Sequence, residues 1–120
     1  MGRRGRRQQR LTAASSDYAD SEGNLLTLRG SLKAGARREY AQTIAGADAR
    51  PAGTREDAWQ RAVELLFERL AVRWVIAGST IEHQDELLGR LRMASRQERA
   101  WVRETLRAHC AEHFPDVKAP

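Results

Sequence analysis

The sequence predicts an all-α protein, a small bundle of about four helices behind a disordered basic N-terminal arm. Three observations carry this prediction. Apolar residues recur at three- and four-residue spacing over long stretches. Cap-like signatures stand just before three of those stretches. Strand-like alternation occurs nowhere at comparable length.

Taken in order, residues 1–24 are rich in Arg, Gln, Ser, Asp and Gly, and after Leu11 their only large apolar side chain is Tyr18. Such a composition buries too little surface to order itself, so 1–24 is expected to be a disordered arm and 25–120 a single helical domain. LLTLRG, residues 25–30, is a short apolar patch that suits a strand or a docking segment. The first helix is expected over 32–45, stopped by Gly46. The stretch GADARPAGT, 46–54, carries Pro51 between glycines and breaks the chain. The second helix starts at Thr54 as N-cap, with Asp57 three residues on as an imperfect capping box. Its positions Trp59, Ala62, Val63, Leu66, Phe67, Leu70 and Trp74 form one stripe, and Gly78 stands where a helix C-terminus wants glycine. Ser79 with Glu82 opens the third helix, which presents Ile81, Leu87, Leu88 and Leu91. Ser95 with Glu98 opens the fourth, which presents Val102, Leu106, Cys110 and Phe114 with Trp101 beside them. Pro115 ends it.

The most apolar stretch is LLFERLAVRWVIAG, residues 65–78, interrupted only by Glu68, Arg69 and Arg73. Read as the end of the second helix, it is apolar nearly all round, and such a helix is buried all round. Short neighbouring helices cover only part of it, so a partner is expected to cover the rest. That makes Phe67, Arg69, Leu70, Arg73 and Trp74 the expected partner interface. Arg69 and Arg73, one turn apart, have an ordinary role open to them: stems on apolar surface, heads in water or paired with Glu64 or Glu68. Beside Trp74 at an interface, they suit a partner's carboxylate or a cofactor phosphate. Arg69, Arg73 and Trp74 are therefore the candidate cofactor-binding residues.

Composition narrows the function classes. Of 120 residues, 41% are hydrophobic and 31% charged, which implies one domain with a modest core. No stretch reaches the roughly 18 apolar residues that span a bilayer. The N-terminal arginines precede no apolar region, so neither a secretory nor a twin-arginine signal is expected, and the reading is a cytoplasmic protein. A single cysteine, Cys110, excludes an internal disulfide. The net charge of +5 comes from Arg3, Arg4, Arg6, Arg7 and Arg10; without them 16 basic residues face 16 acidic ones. The pI therefore reports a tail and not a nucleic-acid-binding face.

Few motifs carry chemistry. HCAEH, 109–113, matches the H-x-x-E-H pattern of inverted zinc peptidases, with His109 and His113 as ligands and Glu112 as base. A third ligand is lacking apart from Asp116, and histidines also suit a helix C-terminus for electrostatic reasons. Cys110 lies on an apolar helix side, the place of a core residue and not a nucleophile. A helix-turn-helix across RMA, 92–94, lacks the usual glycine in the turn. Gly89 lies inside the third helix, and Asp85 falls where a small inward residue belongs. A small DNA-binding regulator nevertheless stays open as the alternative function. No P-loop or dinucleotide fingerprint is present, so the chain is not expected to be an enzyme alone.

The runs AWQRAVELLFERLAVRWVIAG and LLGRLRMASRQERAWVRETLRAH, followed by HFPD, resemble the small subunits of actinobacterial cyclic dipeptide oxidases. The resemblance covers roughly 32–116. It implies a short helical accessory subunit of a larger flavoprotein, in a complex that introduces α,β-dehydro bonds into diketopiperazines, as in albonoursin-type antibiotic biosynthesis. It implies FMN carried mainly by the large subunit and no catalytic group on this chain. A pocket closed at a subunit interface is a physically reasonable setting for a flavin.

Overall fold

The computed structural model describes residues 15–120. Its architecture is α+β, which corrects the all-α expectation. Four helices share the chain with a four-stranded antiparallel sheet of order β1-β2-β3-β4. The strands are β1 (Ser16–Ala19), β2 (Leu25–Leu28), β3 (Ala71–Ile76) and β4 (Ser79–Ile81). The helices are α1 (Ala34–Asp48), α2 (Ala52–Leu70), α3 (Gln84–Arg92) and α4 (Arg96–His113).

The correction has a local cause. The second helix stops at Leu70, and the next six residues, AVRWVI, form β3 without an intervening linker. Four of the six are β-branched or aromatic, types that fit a pleated surface better than a helix. Leu70 and Trp74 both face the core, so they mimic a helical i, i+4 pair although they stand on two elements. LLTL supplies β2, whose Leu25, Leu26 and Thr27 lie opposite Val75, Trp74 and Arg73 of β3. The partner strands are more than forty residues apart, so no short-range pattern announces them.

The expected disordered arm is also corrected in its second half. Ser16–Ala19 pair with Leu28–Leu25 as β1, and Asp20 organises the connecting turn. The Asp20 carboxylate accepts from the backbone N–H of Glu22 and Asn24 and from the Asn24 side chain, each at 2.9 Å. Gly23 holds the positive φ that this turn requires. The part of the predicted arm before residue 15 lies outside the described residues.

Ser79 does not cap the third helix. It pairs with Ile76 across a two-residue turn, Ala77-Gly78, in which both residues have positive φ. That is the backbone of a primed hairpin turn, whose twist matches that of its strands. Helix α3 starts after His83 instead. Ser95 does cap α4: its side chain accepts from Glu98 N–H, and the Glu98 side chain reaches back to Ser95 N–H. Helix α1 runs through Gly46 to Asp48.

All four helices serve one face of the sheet. Leu26, Leu28 and Trp74 meet Leu66, Phe67, Leu70, Leu87, Leu91, Val102, Leu106 and Phe114 in one core. Tyr18, Leu26, Trp74 and Ile81 lie opposite one another on this face. Among the described residues, no helix is long and apolar enough to cross a membrane.

Candidate functional site

The expected interface residues separate in space. Phe67 and Leu70 are fully buried, Trp74 is 2% exposed, and Phe67 and Trp74 pack edge to face with ring centroids 5.8 Å apart. These three form the chain's own core and are not presented to a partner. The apolar stretch 65–78 therefore covers itself, because half of it is a strand lying under the helices. Arg69 and Arg73 are not brought together either. Arg69, on the last turn of α2, pairs with Glu39 of α1 at 3.0 Å rather than with Glu64 or Glu68. Arg73 stands exposed on the opposite face of the sheet.

Trp74 lies on the core face of the sheet. Its indole N–H makes no hydrogen bond among the described residues, while the Arg90 guanidinium lies 5.4 Å from the ring centroid. That cation–π contact is worth about 0.5–2 kcal/mol. Arg90 is also paired with Glu98, whose carboxyl lies below the usual range because the Ser95 backbone, and then Arg90, bond its charged form.

Among the described residues, the surface left without a helix is the outer face of the sheet. The strand register places Asp17, Thr27 and Arg73 in one row and Ala19, Leu25, Val75 and Thr80 in the next. Asp17, Ala19, Arg73 and Thr80 are exposed, Val75 is half-buried, Leu25 is 39% exposed, and Thr27 is buried between its neighbours. Thr27 donates its hydroxyl to Asp17 at 2.5 Å across the strands. Arg73 thus rises between Leu25 and Val75. An antiparallel sheet tolerates one wet face, but an apolar strip around an arginine is the composition of an interface core.

The histidines of HCAEH have a structural task. His109 is fully buried on α4, with Nε2 2.6 Å from the carbonyl O of Arg29 and Nδ1 2.7 Å from the hydroxyl of Tyr18. A carbonyl only accepts, so Nε2 carries the proton and Nδ1 accepts from Tyr18. Both ring nitrogens are thereby committed, and neither is free for a metal. His113 stacks on His109 with centroids 4.5 Å apart and makes a long contact, 3.4 Å, with Ser16. Glu112 is exposed, and among the described residues no group of three or more His, Cys, Asp or Glu is placed to hold a metal ion. Burial lowers the His109 pKa below 6.5, against the opposing pull of the Arg29 carbonyl. Burial also raises the Tyr18 hydroxyl and pushes the Cys110 thiol up to about 11. A thiol held protonated in the core is a poor nucleophile.

Known proteins do not supply an identity. The chain matches no protein-family model, no curated protein and no solved structure.

Sequence reasoning missed the outer strip and the Tyr18–His109 contact. The strip had one local signal, the period-two order of Leu25–Leu28, but its face is defined only once β3 is recognised as a strand. The contact had none, because the two residues lie 91 positions apart.

Proposed function

We propose that this chain is a non-catalytic accessory subunit that docks on a larger enzyme through the outer face of its sheet. The observation that carries the reading is Arg73, exposed between Leu25 and Val75 on the outer face. Arginine in an apolar surround is a common anchor of binding energy, and a partner carboxylate opposite Arg73 gives the strip direction as well as area. The resemblance to cyclic dipeptide oxidase small subunits supplies the partner class, a flavoprotein carrying FMN. In that assembly this chain holds no catalytic group.

The test is co-expression with a flavoprotein large subunit of the cyclic dipeptide oxidase type. A yellow assembly that co-elutes is expected. Arg73→Glu and Leu25→Asp should each abolish co-elution while leaving the melting temperature of the free chain nearly unchanged. A complex indifferent to both substitutions refutes the docking face, and failure of the pair to associate refutes the reading.

A second reading, a DNA-binding regulator, rests on a different observation. Arg96, Arg99, Arg103 and Arg107 recur along α4 at steps of three and four, so they share one strip. Arg96, Arg99 and Arg107 are exposed. In the sequence, the intervening acids hide this strip. In the fold, Glu98 is spent on the cap and on Arg90, and Glu104 stands about 100° round the helix from Arg103. Duplex DNA affinity that falls on Arg96→Glu and Arg99→Glu supports this reading. Affinity lost only when residues 1–14 are removed reports a charged tail and counts against it.

A further inference from the structure

A groove of about 410 Å³ lies between the end of α1, the start of α2, the middle of α4 and the segment 118–120. We propose that it binds a small organic acid with a flat apolar body, an aryl carboxylate or an aryl phosphate. The proposal is independent of the accessory-subunit reading.

The groove has a fixed aromatic element. Trp59 donates its indole N–H to Asp48 at 2.8 Å, which uses the only polar atom of the ring. The guanidinium groups of Arg55 and Arg103 lie 5.9 and 6.0 Å from its centroid. What Trp59 and the neighbouring Ile44 add to the lining is apolar surface.

The groove also has a held wall. Tyr40 donates its hydroxyl to the Lys118 carbonyl at 2.6 Å, and Arg103 Nε donates to the Pro120 carbonyl at 3.2 Å. Val117 N–H donates to the Phe114 carbonyl at 2.8 Å, and Arg37 pairs with Asp116. Segment 114–120 is thereby tied to α1 and α4 at several points.

The charge in the groove is unbalanced. Arg103, Arg107 and Lys118 line it, and among the described residues Asp48 is its one acidic side chain. Arg103 is also engaged by Glu56, and Asp48 is engaged by Trp59. Arg107 and Lys118 are exposed and have no acidic partner among the described residues. Two cations without counter-charge, beside an anchored indole, select an anion that carries a ring: the head group takes the charge, and the ring lies on Trp59 and Ile44. The volume is at the lower end of the range for small-ligand sites.

The experiment is a titration of the ¹⁵N-labelled full chain with phenyl phosphate, benzoate and inorganic phosphate. The indole N–H signal of Trp59, assigned through Trp59→Phe, is the readout. Phenyl phosphate or benzoate should move that signal saturably, with a Kd of about 1 mM or tighter, while the Trp74 and Trp101 signals stay in place. Binding by either acid supports the site, and their ratio names the head group. Inorganic phosphate, which lacks the ring, should bind about tenfold more weakly or worse. Arg107→Glu and Lys118→Glu should each weaken phenyl phosphate about tenfold, whereas Arg96→Glu should have no effect. Both groove residues are exposed, so these variants should keep the parent's melting temperature. Absence of a saturable shift, equal affinity for inorganic phosphate, or an equal loss in Arg96→Glu overturns the proposal.

Discussion

Tyr18 and His109 show how much can rest on one hydrogen bond between distant residues. Tyr18→Phe leaves Nδ1 of a fully buried imidazole without its donor. The expected cost is about 1–3 kcal/mol, read from the urea midpoint. A loss below about 0.5 kcal/mol would show that the contact is not made in solution. The same ring makes stability depend on pH. Its folded pKa lies below 6.5, so the unfolded chain binds the proton more readily. The neutral-ring contribution is complete above the unfolded value and is lost as pH falls through the folded one. The chain should therefore unfold at lower urea at about pH 5 than at about pH 7.5. Equal midpoints would contradict this. In the sequence, the i, i+4 spacing of His109 and His113 is legible, but it suits metal ligation and core packing equally. The phenol and the carbonyl that claim the ring come from residues 18 and 29, which no spacing rule connects to it.

Elements were legible in proportion to how local their causes are. The α4 cap is wholly local, and Ser95 with Glu98 announces it. Ser95→Ala should remove about 1 kcal/mol, measured by thermal melting, while Arg96→Ala, outside the cap, should change little. The β3–β4 turn is nearly as local, yet Ala77-Gly78 hides it because alanine is an unusual occupant of positive φ. Ala77→Asn, which tolerates that backbone and keeps the N–H donated to Asn24, should stabilise the chain by about 0.5–1 kcal/mol. A destabilised variant would mean that the turn is not primed. Strand β3 lay beyond local reasoning. Its six residues continue an apolar spacing of three and four from α2, and only pairing with β2 reveals the change of period. The misreading of β3 turned a self-covering core into an apparently uncovered helix. It also moved Phe67, Leu70 and Trp74 from the expected interface into the interior. Arg73 is the one candidate interface residue that reaches the outer strip, and Leu25 and Val75 join it there only through strand register.

At the scale of the molecule, the helices of the described residues stack on the inner face of a one-sided sheet, so among those residues no helix covers the outer face. The first strand belongs to this body. Removing residues 1–24 takes β1 and Tyr18 away, so that truncation should melt well below the chain lacking only 1–14. Equal melting temperatures would show that β1 adds nothing. The clasp between β1 and α4 also sets an order of events during synthesis. Strand β1 leaves the ribosome early, yet the imidazole that fastens it is made 91 residues later. Strand β2 likewise waits more than forty residues for β3. Until then the leucines of LLTL have no neighbouring strand on that side, and closing such long loops is slow. The nascent chain is consequently most vulnerable to chaperone capture and aggregation between the translation of β2 and that of α4.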